Sequence, residues 1–314
     1  MTPALLAVDW GTSSLRGALL AQDGSVIEER SFARGILTVP PGGFPDAFDQ
    51  CFGDWLLATP GLLCLMAGMV GSRQGWQEAP YCACPADFAD IAAQLTWLVP
   101  GPRHEPETRR MALVPGLSCE REGLSGDNAL ATLPDVMRGE ETQVFGALQS
   151  LQLQDALLVL PGTHSKWVRV EGGRITSFVT FMTGECYALL RQHSILSRTL
   201  PTGESPFDES AFVQGVQIAL RGASLLQTAF SARTLALFER LSDVVLESYL
   251  SGLVIGEELR AQSLDVSQRV VLIANPTLTQ RYQLALAQCG IICVSPGAQV
   301  TWAGLSVIAR TFHP

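Results

Sequence analysis

The opening of the chain constrains it most. Residues 5–8 (LLAV) form an apolar run that reads as a buried strand ending at Asp9. A turn of small and hydroxyl residues follows, Trp10-Gly11-Thr12-Ser13-Ser14, and residues 15–20 make a second apolar run. Gln22-Asp23-Gly24-Ser25 carries the Asp-Gly signature of a tight hairpin and leads into a third strand over residues 26–32. Such a turn can aim backbone N–H groups and hydroxyls at a phosphate, while Asp9 stands where a Mg²⁺ would sit. The same device returns mid-chain: residues 157–160 are apolar, Pro161-Gly162-Thr163-His164-Ser165 turns, 166–170 return, and Glu171-Gly172-Gly173-Arg174 leads into 175–181. Setting Gly11-Thr12-x-Ser14 over Gly162-Thr163-x-Ser165 aligns two hairpins about 150 residues apart. One Gly-Thr-x-Ser is an ordinary turn. Two copies, each closing an apolar strand and opening a hairpin, point to paired phosphate loops facing each other across a cleft.

A chain of 314 residues has room for two domains. The expected division is 1–153, with the first hairpin and a substrate loop, and 154–314, with the second hairpin and an adenine site. Hydrophobic content of 47% against 16% charged residues describes a well-buried globular enzyme. A net charge of −9, without any Lys or Arg run, argues against a nucleic-acid partner and makes cations in a cleft informative about an anionic substrate. The longest apolar stretch, 62–70, is far short of the ~20 residues of a membrane span. Eight cysteines show neither a paired CxxC nor a nearby histidine, so free thiols in a reducing cytosol are expected and no zinc site is. The oligomeric state is open, with a homodimer among the options.

Residues 62–69 (LLCLMAGM) suit a strand buried on both faces of an α/β sheet. They empty into 70–81, VGSRQGWQEAPY, and ligands of open α/β sheets bind beyond the carboxyl ends of strands. Arg73, Gln74 and Trp76 are therefore substrate candidates; the alternative makes Arg73 a surface cation and Trp76 a lid on the core. Polar loops are expected at 100–106 and 124–128. Apolar spacing predicts a helix opening at Gly139, with Glu140 and Glu141 in its first turn, where the dipole favours acids. Lying just before the second hairpin, the pair is also placed to supply a catalytic base. Helical period dominates 210–260, and 269–274 (RVVLIA) reads as a strand that breaks at Asn275-Pro276-Thr277, a generic seat for an adenine ring.

The stretches AVDWGTSSLRGALL, AGMVGSRQGWQEAPYCACPA, PDVMRGEETQVFGAL, LPGTHSKWVRV and MTGECYALLRQHSIL together resemble the bacterial 2-dehydro-3-deoxygalactonokinases, from Asp9 through at least Gly256. LPGTHSKW and GSRQGW are specific to that family. The opening hairpin alone indicates the wider sugar kinase, heat-shock chaperone and actin group. The resemblance implies an α/β chain of two ribonuclease-H-like (actin-like ATPase) domains with an interdomain cleft. It implies transfer of the γ-phosphate of ATP, with Mg²⁺, to the terminal 6-hydroxyl of 2-dehydro-3-deoxy-D-galactonate. Second phosphate loops of the group often open on an acid or two glycines, whereas here the strand ends Leu160-Pro161, which leaves Asp9 as the principal acid. MRGEETQVFGAL before the second hairpin also looks like the exopolyphosphatase layout, which nominates Glu141 as base, with Glu140 and Asp135 behind it.

On that reading Asp9 holds Mg²⁺, while Gly11, Thr12, Ser13, Ser14, Gly162, Thr163 and Ser165 cradle phosphates. Arg16 or Lys166 neutralises charge, and Asn275 marks the adenine. A planar guanidinium matches a carboxylate, so Arg73 is the expected partner of the sugar acid, with Lys166 or His164 as the alternative. An exopolyphosphatase-like phosphohydrolase and a non-catalytic nucleotide-binding module are the competing readings. The polar GSRQGW loop argues against the module.

Overall fold

A computed structural model describes residues 1–99, 110–122, 132–201, 203, 205–262, 264–266, 268–297 and 299–311; the loops expected at 100–106 and 124–128 lie outside them. The opening runs form the antiparallel meander β1 (Leu5–Trp10), β2 (Leu15–Leu20) and β3 (Val26–Phe32). Helix α1 (Phe44–Ala58) starts with Pro45 in its first turn and buries Phe44, Phe48, Phe52 and Trp55, the side chains its helical spacing gathers on one face. Strand β4 (Leu63–Ala67) pairs parallel with β1 and is buried along its whole length, as an uninterrupted apolar run requires.

The chain continues through β5 (Tyr81–Ala83), α2 (Phe88–Ala93), β6 (Thr96–Trp97), β7 (Arg110–Leu113), β8 (Gly116–Glu122), β9 (Thr132–Met137) and α3 (Glu140–Leu151). The main sheet runs β3-β2-β1-β4-β7-β6, and a smaller one runs β5-β8-β9.

A second sheet repeats that order. Strands β10 (Ala156–Leu160), β11 (Ser165–Glu171) and β12 (Arg174–Phe181) are followed by α4 (Thr183–His193), α5 (Glu209–Leu220), α6 (Leu225–Thr228), α7 (Ser231–Leu237) and α8 (Leu246–Ala261). Next come β13 (Arg269–Leu272), α9 (Pro276–Gln288), β14 (Ile292–Val294) and the closing α10 (Val300–Arg310). The order β12-β11-β10-β13-β14, with β10, β13 and β14 parallel, matches β3-β2-β1-β4-β7 strand for strand. The sequence expectation of one meander per half is realised. All eight cysteines are free thiols, and among the described residues no helix is long and apolar enough to cross a membrane.

The compact units are not linear halves. One comprises Met1–Asp155, Arg169–Phe178 and the segment from Pro296; the other comprises Ala156–Val168 and Val179–Ser295. A division at 153/154 would leave α10 in the second half, but this helix is buried along most of its length and packs on α3. There the two backbones meet through glycine: a Cβ on Gly146 would lie 1.7 Å from the Val300 carbonyl oxygen, and one on Gly304 1.8 Å from that of Thr142. The tip of the β11–β12 hairpin joins the first unit through Arg174, which bonds Asp87 and Asp90 at 2.7 Å each. Within the second unit, α5 and α8 cross by the same device, with Gly215 against Tyr249 and Gly252 against Phe212.

Candidate functional site

In the first unit the β1–β2 register sets Asp9 opposite Arg16, and Arg16 Nη2 donates to Asp9 Oδ2 at 2.6 Å. The Arg16 guanidinium also lies 5.6 Å from the centre of the Trp302 ring. The first turn is closed by Gly11 N–H donating to the Ser14 carbonyl at 2.9 Å, which leaves Thr12, Ser13 and Ser14 exposed. Strand β4 empties at Gly68, φ +95°, where a Cβ would lie 2.8 Å from the Trp10 carbonyl oxygen and 3.3 Å from Asp9 Oδ1. Gly139, φ +104°, packs on Gly68, with a Cβ there only 3.2 Å from the Gly68 Cα. Only glycine satisfies both the left-handed backbone and the missing space. The sequence reading gave Gly139 only as a helix opening and Gly68 no role, because a lone glycine after a strand or before a helix is usually punctuation.

Gly139 leads into α3 and to Glu141. That carboxyl is fully buried, and both its oxygens accept the Gly139 N–H, at 2.9 and 2.7 Å. Burial, reinforced by the neighbouring Glu140, pushes its pKa up to about 8. Glu140 accepts the Arg138 N–H at 3.0 Å, whereas Asp135, on β9, accepts the Val136 N–H at 2.8 Å. Asp9, Gly68, Gly139 and Glu141 thus form one contiguous patch at the carboxyl ends of β1 and β4. A single carboxylate with open backbone beside its second oxygen suits Mg²⁺, which takes one or two protein carboxylates and completes its shell with water and phosphate oxygens.

The loop after β4 folds back on itself through Trp76 N–H to the Val70 carbonyl, 2.8 Å, and Ala79 N–H to that of Gly71, 2.9 Å. This corrects the expectation for Trp76. Its ring packs on Trp10, Phe44 and Phe48, with centroids 6.4, 6.5 and 5.8 Å away, so the half-buried indole closes the core, the alternative the sequence offered. Arg73 and Gln74 do line an open pocket, of about 350 Å³, with Met69, Ser72, Glu78, Tyr81 and Arg138. Arg73 is 86% exposed, however, and its Nε donates to Glu78 Oε1 at 2.8 Å, which holds its pKa up.

The sequence reading missed Arg138. It is about nine-tenths buried at the end of β9, donates from Nη2 to the Ala79 carbonyl at 2.8 Å, and lies 4.4 Å from the centre of the Tyr81 ring. Its Nε and Nη1, and Ser72 Oγ, are buried without a hydrogen-bond partner. Local sequence showed only a cation beside two acids.

In the second unit the turn spans residues 161–164, between β10 and β11. Both turns hold four residues, so by strand ends Ser165 matches Leu15 and Lys166 matches Arg16; the motif superposition is out by one. Ser165 is consequently buried, and its hydroxyl donates to Glu258 Oε1 at 2.8 Å instead of facing the turn. Glu258, on α8, also accepts from Trp167 Nε1 and Tyr282 Oη, both at 2.7 Å, and from the Thr183 hydroxyl. Desolvation raises the pKa of Glu258 against these four donors.

Lys166 is buried too. His164 Nε2 sits 2.6 Å from Glu185 Oε2, and the Glu185 N–H bonds the Thr163 carbonyl at 3.0 Å. A Cβ on Gly184 would lie 2.5 Å from the Gly162 carbonyl oxygen, so the turn rests on the start of α4. Asn275 caps α9, its Oδ1 accepting the Leu278 N–H at 2.9 Å, and stays exposed beyond the end of β13. The apolar slot nearby is lined by Gly162, Gly184, Tyr187, Val254, Leu278 and Arg281.

With that geometry in place, comparison with known proteins is informative. Residues 9–308 match the family profile of 2-keto-3-deoxy-galactonokinase. A protein of Escherichia coli (strain K12) named 2-dehydro-3-deoxygalactonokinase is 34% identical, covering 99% of each chain. One of Rhizobium meliloti (strain 1021), described as a probable 2-dehydro-3-deoxygalactonokinase, is 35% identical over 98% of this chain and 97% of its own. A crystal structure from Sinorhizobium meliloti, described as that of a putative 2-dehydro-3-deoxygalactonokinase, superposes with a TM-score of 0.85 at 35% identity, covering 99% of both chains.

Proposed function

This chain belongs to the 2-keto-3-deoxy-galactonokinase family, and on that premise we propose that it transfers the γ-phosphate of ATP to the 6-hydroxyl of 2-dehydro-3-deoxy-D-galactonate. The observation that carries the site assignment is the convergence of Asp9, Gly68, Gly139 and Glu141 beside a cationic pocket. Phosphoryl transfer asks a protein mainly for positioning and charge stabilisation. Asp9 would hold Mg²⁺, which when bound neutralises charge on the phosphates. In the first unit the exposed Thr12, Ser13 and Ser14 offer hydroxyls and backbone N–H groups to a phosphate, and the second unit's own turn offers the same groups at Gly162 and Thr163. Arg16, on the Asp9 carboxylate, supplies positive charge in the first unit, and Lys166 holds the matching position in the second. Arg73 and Gln74 form the rim of the acid pocket, and Asn275, with Leu278 and Arg281 nearby, marks the adenine.

Glu141 is the proposed base. A carboxyl with its pKa near 8 sits close to working pH, where a general base is most effective, and its contribution would be ~10²–10⁴-fold. On the same reading the enzyme is cytosolic, which suits its eight free thiols. The deciding experiment incubates the protein with ATP, Mg²⁺ and a panel of 2-keto-3-deoxy acids and follows ADP. Release that depends on the galactonate-derived acid is expected; release that ignores the acid would indicate a phosphohydrolase.

A further inference from the structure

The pocket beside Gly139 offers a cation at its mouth and another at its floor, and they differ. Arg73 is solvated and already neutralised by Glu78. Arg138 is held by the Ala79 carbonyl and the Tyr81 ring, yet keeps Nε and Nη1 without an acceptor, and the Ser72 hydroxyl is in the same condition. Buried polar groups are nearly always hydrogen-bonded, so three orphaned groups on one pocket call for an explanation. All three can donate, which identifies the missing partner as an acceptor; a buried guanidinium makes it an anion. Glycine at 71 preserves the space, since a Cβ there would come within 3.0 Å of Arg138 Nη1. The nearby acids bond other donors than these three, Glu78 the Arg73 guanidinium, Glu140 the Arg138 backbone N–H and Glu141, whose carboxyl senses the Arg138 charge, the Gly139 N–H.

We propose that Arg138, with Ser72, is the anchor that binds the substrate's carboxylate, and that Arg73 is not. The proposal rests on the sugar-acid kinase reading for the identity of the anion. A carboxylate brings two acceptor oxygens to a planar fork whose orientation Tyr81 and Ala79 have already set. Arg138 immediately precedes Gly139, so the segment that grips the acid end of the substrate also carries the proposed base.

The test uses the full-length protein and its Arg138→Gln, Arg138→Lys, Ser72→Ala and Arg73→Gln variants. Calorimetry measures binding of 2-dehydro-3-deoxy-D-galactonate, of its neutral C1 amide, and of ATP with Mg²⁺; ADP release is followed in parallel. Arg138→Gln should weaken the acid by roughly 10–100-fold, as expected for a lost charged hydrogen bond. Arg138→Lys should restore part of that, and Ser72→Ala and Arg73→Gln should have the smaller effects. The amide should bind wild type and Arg138→Gln alike, with ATP affinity unmoved.

Equal losses of acid and amide would show a merely structural role and overturn the proposal. So would a larger loss from Arg73→Gln than from Arg138→Gln, or a wild type that binds no acid. If Arg138→Gln fails to fold, the acid-against-amide preference of Arg138→Lys and Ser72→Ala decides: unchanged preference overturns the anchor. Acid bound through Arg138 without phosphoryl transfer would sink the kinase reading alone. A normal KM for the acid in Arg138→Gln would sink the anchor alone.

Discussion

Asp9 and Arg16 face each other because a hairpin register pairs them, and the same register exposes their ion pair at the mouth of the turn. Partly exposed pairs contribute ~0–1 kcal/mol, so Asp9→Asn should hardly move the melting temperature. Turnover should nevertheless fall by orders of magnitude, because the proposed metal ligand is gone. Calorimetry beside steady-state kinetics checks this, and near-normal turnover at saturating Mg²⁺ would remove Asp9 from the site. Glu141→Gln should lower kcat more than it changes either KM, as loss of a transition-state role does; equal damage from Glu140→Gln would make the pair a unit.

Glu141 also carries a pH signature. Its pKa rises from an ordinary 4.5 to about 8 on folding. Below 4.5 both states hold the proton; between 4.5 and 8 only the folded state does, so stability falls as pH rises through that window and levels off above it. The slope is on the order of 1 kcal/mol per pH unit. Urea unfolding across the window should show the decline in wild type and a flatter profile in Glu141→Gln.

At the scale of elements, two devices hold the hairpins in place. The Glu258 carboxylate on α8 ties the start of β11, the start of α4 and Tyr282 of α9 into one buried node. Replacing it with leucine strands four donors. Charged hydrogen bonds are each worth ~1.5–3 kcal/mol, so the loss should reach at least several kcal/mol in denaturant titration and raise the KM for ATP. A variant as stable as wild type would mean the node is dispensable. The second device is the glycine crossing of α3 on α10. Gly304→Ala puts a methyl 1.8 Å from the Thr142 carbonyl oxygen, where only backbone movement can relieve it. Overpacking of this kind typically costs ~1–3 kcal/mol, and because α3 begins at the Glu140–Glu141 turn, kcat should fall together with the unfolding midpoint.

The whole molecule is two units of one topology, and the chain crosses between them more than once. A fragment of residues 1–153 should therefore not fold cooperatively alone, since α3 would expose the face that α10 covers; circular dichroism melting of the fragment tests this, and a sharp transition would refute it. What the sequence by itself determined is the repeat: apolar runs of strand length, broken by glycine and hydroxyl turns, dictate two meanders and a strand buried on both faces whatever surrounds them. The acidic first turn of α3 was equally legible, because helix capping and period are local.

Only the tertiary structure decided which polar groups are free to act. Ser165 carries the right chemistry but spends it on Glu258, and Trp76 spends its ring on the core. Arg138, in sequence only a cation near two acids, is left with two empty donors in a pocket. The physical reason is that strand and turn formation depend on neighbours a few residues apart. Burial and hydrogen-bond satisfaction depend on partners such as Ala79 for Arg138 and Glu258 for Ser165, 59 and 93 residues away along the chain.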